Sequence, residues 1–185
     1  MLVNVEWRRV VESASAGTLL RFRREFAERV WSDPDDIAFA TGVGVTRGPF
    51  QPFRSVIEPD PDTPEHVLED QDNVPEPVET PHGRMQQLGV LFGGDLGLYV
   101  SLEDGEIWAD DWEYEELRRI NGDLSSLAYV LYKLEAEAPT DEESDDPYAH
   151  VDAAAIIRQD TRRFDRLPFR MSFWEQVLDE YQLYY

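Results

Sequence analysis

Between Ile107 and Leu117 the chain reads Ile-Trp-Ala-Asp-Asp-Trp-Glu-Tyr-Glu-Glu-Leu, three aromatic side chains among five carboxylates. Aromatics supply rigid apolar anchors, and carboxylates around them pair with Arg and Lys, so this mixture suits a surface that binds a basic protein. Trp108, Asp110, Asp111, Trp112, Tyr114, Glu115 and Glu116 are therefore the candidate partner-binding residues. A plainer reading stands beside it. Trp108 or Trp112 covers the sheet, and the carboxylates form a solvated face.

Other chemistry finds little support. His66, His82 and His150 lie far apart and form no His-Glu-x-x-His pair, so no zinc centre is expected. The acidic pairs Asp110-Asp111 and Asp145-Asp146 fit no Asp-x-Asp-x-Asp-Gly calcium loop. Cysteine is absent, which removes disulfides, thiolate ligands and a Cys nucleophile. Ser13 and Ser15 sit in no nucleophile elbow. Gly42-Val-Gly-Val-Thr-Arg-Gly48 is one residue longer than the dinucleotide fingerprint and follows an expected helix rather than a strand. No catalytic residue, metal or cofactor is expected, and the chain reads as a binding protein rather than an enzyme.

Charge narrows the partner. Thirty-nine acids against 17 Lys plus Arg leave a formal net charge of −22. Such a surface repels nucleic-acid phosphates and anionic membrane and attracts basic partners. Solubility or adaptation to a salty cytoplasm explains the same number. The distribution is uneven: 55–83 holds nine acids, six prolines and no Lys or Arg, and 135–146 holds seven acids, again without a base. The first reads as a mobile proline-rich loop at about 58–81, the alternative being an arm that mimics nucleic acid, and the second as a solvated loop joining helices. No apolar run approaches the ~20 residues of a membrane span, and the first ten residues lack a secretory pattern, so a cytoplasmic protein is expected.

The elements that must position these residues follow from periodicity. Helices are expected over Asn4–Glu12, Thr18–Trp31 and Asp33–Thr41, with a strand over Phe50–Ile57. A meander over about 87–110 is the clearest β signal. It has Gln87–Phe92 as one strand, a turn at Gly93-Gly-Asp95, and Leu98, Val100 and Leu102 alternating along the next. Asp104-Gly105 favours a two-residue hairpin, and Glu106–Asp110 returns with Ile107 and Ala109 on one face, Glu106 and Trp108 on the other. Leu124, Leu127, Leu131 and Leu134 stripe a helix from Asp123 to about Ala136, and another helix is expected over Asp152–Arg163. Ser172-Phe-Trp-Glu175 matches a capping box before Trp174, Val177, Leu178 and Tyr181. The expected class is α+β, a central antiparallel sheet flanked by helices at both ends, in one domain over 1–185. Apolar residues at 42% suffice for its core.

This order of elements has a parallel. Leu88-Gly-Val-Leu-Phe-Gly-Gly-Asp-Leu-Gly-Leu-Tyr-Val-Ser-Leu-Glu-Asp-Gly-Glu-Ile-Trp108 resembles the central hairpin of the SUKH superfamily. Ile120-Asn-Gly-Asp-Leu-Ser-Ser-Leu-Ala-Tyr-Val-Leu-Tyr-Lys-Leu134 resembles the helix entered through the Asn-x-Ser/Asp-Leu segment of its immunity-protein branch, the fourth SUKH family. Ser172-Phe-Trp-Glu-Gln-Val-Leu-Asp-Glu-Tyr181 is similar to that branch's closing helix, and Phe39–Val45 with Gly48-Pro-Phe50 to its entry, although Thr46 stands where the family has Pro. The resemblance spans about 33–181. It implies an α+β sheet with flanking helices, no shared catalytic residue, and a role in binding and neutralising a toxin, often a nuclease or nucleic-acid deaminase. A cognate basic toxin is then the expected partner. A scaffold of the same fold that binds an unrelated cellular protein is the alternative reading, and a carboxylate–metal enzyme the third. The residue pattern does not fix the oligomeric state; a monomer is the simpler expectation.

Overall fold

The computed structural model describes residues 5–13, 19–46, 50–52, 75–91, 96–110, 117–139, 146, 148–162 and 173–184. Helix α1 (Trp7–Ser13) sets Trp7 edge-on to Phe39, with ring centroids 4.8 Å apart. The expected helix over Thr18–Trp31 is divided. Its first part is strand β1 (Leu19–Leu20), and α2 begins only at Arg24 and ends at Val30. Helix α3 (Pro34–Gly42) starts on a proline, and the Asp33 carboxylate accepts from the Asp35 backbone N–H, two devices that favour a helix start. Strand β2 (Val45–Thr46) then returns antiparallel to β1. Tertiary pairing thus decides Leu19–Leu20: Leu20 is fully buried opposite Val45, and the Phe22 N–H donates to the Ala40 carbonyl instead of a helical turn.

Six strands form the main sheet: β3 (Phe50–Pro52), β4 (Val78–Thr80), β5 (Gly83–Leu91), β6 (Leu96–Ser101), β7 (Ile107–Asp110) and β8 (Leu117–Asn121). The order is β3-β5-β6-β7-β8, every pair antiparallel, with β4 joining β3 along the free edge of β5. Strand β4 falls inside 58–81, so that segment is not wholly loop; its residues 58–74 lie outside the described residues. So do the turn at 93–95 and positions 53–57 of the expected first strand.

Alternation puts Leu98, Val100, Ile107 and Ala109 into one cluster with Leu127, Leu131, Phe173 and Trp174, so α4 and α6 pack on the same sheet face. At Leu88 the β5–β6 register slips by one residue. This bulge lets Leu88 and Leu91 both reach the core while Gln87 faces the other way. The β6–β7 connection holds five residues, Leu102–Glu106, rather than two. Ser101 bonds to both Gly105 and Glu106, and Gly105 supplies a positive φ, of 75°, in the turn.

Helix α4 (Leu124–Ala136) opens on a reciprocal capping box between Asp123 and Ser126 and buries all four leucines of its stripe. Helix α5 (Ala149–Thr161) begins and ends slightly earlier than its apolar pattern predicts, and α6 (Phe173–Tyr184) buries Trp174, Val177 and Leu178. Ser172 lies outside the described residues, so its capping role is not on view.

Candidate functional site

The sheet face turned away from the helices carries the candidate site. Strand register sets Gln87, Tyr99, Trp108 and Arg119 in one row across four strands. Trp108 is half-buried and stacks on the His82 imidazole, ring centroids 4.5 Å apart and 27° between planes. Its indole Nε1 is buried without a hydrogen-bond partner among the described residues, a costly condition for a donor. Register also places Met85 on this side, opposite Ser101, and Met85 is fully buried while standing apart from the helix-facing cluster. The outer face therefore has a small apolar centre of its own.

Asp110 closes the other end. Its Oδ2 accepts from the Gly97 backbone N–H at 2.7 Å. A Cβ at 97 would lie 2.5 Å from that oxygen and 2.7 Å from the Tyr99 hydroxyl, so one of these side chains must shift to admit any other residue. Burial, and then the Asp110 charge, pushes the Tyr99 phenol above its ordinary pKa. The Gln87 side-chain N–H donates to the same hydroxyl at 3.4 Å. Arg119 bonds to Glu106 beside Trp108.

Of the seven residues predicted from sequence, Trp108 and Asp110 are brought together on this face, and Asp111, Trp112, Tyr114, Glu115 and Glu116 lie outside the described residues. Trp108 covers part of the sheet and remains partly accessible. His82, Tyr99 and Arg119 were not read as site residues. Tyr99 carried a signal, as the outward position between Leu98 and Val100. His82 carried none, because it arrives through the β4–β5 turn.

Charge elsewhere is more structural than the acid runs imply. Glu137 lies in the 135–146 run, but it pairs with Lys133 at 3.0 Å instead of standing in solvent. Lys133 also bonds to Asp160 at 2.7 Å, tying α4 to α5. Among the described residues, no group of three or more His, Asp or Glu side chains is placed to hold a metal. No described helix is long and apolar enough to cross a membrane.

These features define an α+β protein with one sheet face packed and the other bearing aromatic and charged side chains. Residues 5–180 match the family model described as SUKH-4 immunity protein, and the chain belongs to that family. The fold and family expected from sequence therefore hold, and immunity to a toxin is the role the family supports. Comparisons with curated proteins and with solved structures found no match.

Proposed function

We propose that this chain binds and neutralises a cognate basic toxin, a nuclease or a nucleic-acid deaminase, through the outer face of its sheet and without catalysis. The observation that carries this reading is the half-buried row around Trp108, an aromatic centre flanked by carboxylates on the sheet face opposite the described core helices. Half-buried aromatics at the middle of a patch are the usual energetic anchors of protein interfaces. Asp111, Trp112, Tyr114, Glu115 and Glu116 directly follow Asp110 in sequence and extend the same mixture of rings and acids. The formal charge of −22 favours a basic partner over nucleic acid or anionic membrane, and speeds its capture at low salt. The complex forms in the cytoplasm with one monomeric copy of this chain.

Co-expression with the product of the adjacent upstream gene tests the reading, scored by pull-down and by cell survival. A salt-sensitive one-to-one complex that rescues lethal expression supports it. No complex and no toxicity would overturn it and leave the scaffold reading. If Trp112→Ala with Asp110→Arg and Asp111→Arg leaves affinity unchanged, the toxin binds elsewhere on the molecule.

A further inference from the structure

At one end of the outer face the β4–β5 turn meets the β6–β7 turn. The Leu102 N–H donates to the Arg84 carbonyl at 3.0 Å, which continues the β5–β6 register until Gly83 stands beside Glu103. The Glu103 carboxylate lies against the Gly83 backbone, with Oε1 3.1 Å from where a Cβ would be. His82, the next residue, is exposed and holds its ring on Trp108. A carboxylate and a two-ring aromatic stack thus share one corner.

The chain neutralises neighbouring carboxylates with its own arginines. Glu106 pairs with Arg119, and Glu79 with Arg84 at 3.8 Å. Glu103 has no ion-pair partner among the described residues; what bonds there is its backbone N–H, to Ser101 Oγ at 3.3 Å. We propose that this corner is an arginine-binding site for the partner, in which a guanidinium stacks on the His82–Trp108 pair and bonds to the Glu103 carboxylate. The inference rests on the outer face being the docking surface and adds the chemistry of its anchor. Arginine is favoured over lysine because its planar cation stacks on a ring and offers a fork of N–H donors to a carboxylate at once. An ammonium has neither the planar face nor the fork, and it holds its water more tightly.

The test titrates the full-length protein at ~0.15 M salt, near physiological ionic strength, with two short peptides identical except that one carries two arginines and the other two lysines. The Trp108 indole N–H and the His82 ring resonances report the corner, and the buried Trp174 indole reports the fold. The expected result is a shift at Trp108 and His82 with the arginine peptide at least about threefold tighter, as fits one exposed charged contact. Glu103→Gln and His82→Ala should each remove that preference while the Trp174 resonance stays in place. Equal affinity for both peptides, or a preference that survives Glu103→Gln, would overturn the proposal and leave diffuse charge attraction. If the corner fails while toxin rescue persists, only the arginine site is lost. If rescue fails while the corner holds, only the toxin reading is lost.

Discussion

The Trp174 indole N–H donates to Asn121 Oδ1 at 2.9 Å, and both side chains are buried, so α6 is tied to the edge strand β8 by a polar bond inside the core. A buried donor that loses its acceptor keeps its desolvation cost, typically about 1–3 kcal/mol, beyond the bond itself. Asn121→Ala should therefore destabilise the protein by about 2–3 kcal/mol in urea unfolding. Trp174→Phe removes donor and some volume together and should lower the cost of the second change. A double-mutant cycle measures this: additive losses would show that the bond couples nothing.

Gly97 is a tightly packed point of the outer face. A methyl group there would lie inside normal contact distance of the Asp110 carboxylate and the Tyr99 hydroxyl at once. Gly97→Ala should displace Asp110, break its bond to the backbone N–H, and cost about 1–3 kcal/mol as other overpacked sites do. Thermal unfolding gives the stability, and binding to the co-expressed toxin should fall together with it. Unchanged stability would mean that the strand moves aside freely.

Much of this was legible in the sequence, and the exceptions share a cause. Leu124, Leu127, Leu131 and Leu134 announced α4 because one helix with one buried face writes its period into one segment. Ile107 and Ala109 announced the buried side of β7, and so the outward side of Trp108, for the same local reason. Leu19–Leu20 did not announce a strand, since two residues carry no period and their pairing with Val45–Thr46 spans 25 positions. Strand β8, Leu-Arg-Arg-Ile-Asn, has little apolar alternation and is held by β7 on one side. His82 at the site required the β5 register, which no local pattern states.

Asp36 gives a dependence on pH. It is buried, and its carboxyl is held above the ordinary 3.8 chiefly by that burial. Asp123, Asp33 and Asp35 add to the rise against the opposite pull of the chain's amino terminus. A folded pKa above the unfolded one means that the native state binds the proton more tightly. This contribution is fully present below pH 3.8 and is lost as pH rises through the folded value. Asp36→Asn should thus gain stability over the wild type at pH 7, and the gain should shrink toward acid. Denaturant midpoints from pH 3 to 7 would show it, and a constant difference would contradict the assignment.

Lys133 is the chain's one lysine, and it bridges Glu137 on its own helix and Asp160 on α5. Burial alone would lower its pKa, but bonds to Asp160 and then Glu137 reverse this and hold it above the ordinary value. The ammonium stays charged through the neutral range, so its stabilisation is complete below the unfolded value of 10.5 and is lost as pH rises through the folded one. Lys133→Met keeps the apolar stem and strands two carboxylates. It should cost about 1–3 kcal/mol at pH 7, as expected when charged partners are left without their cation in a partly buried site. Adding Asp160→Asn should recover part of that loss, because the remaining repulsion is then gone. The same pairing predicts slow chemistry at the side chain: an amine-reactive ester at pH 8 should label the α-amino group well before Lys133, read by peptide mass mapping. Rapid labelling of Lys133 in the folded protein would show that the bridge between α4 and α5 is open in solution.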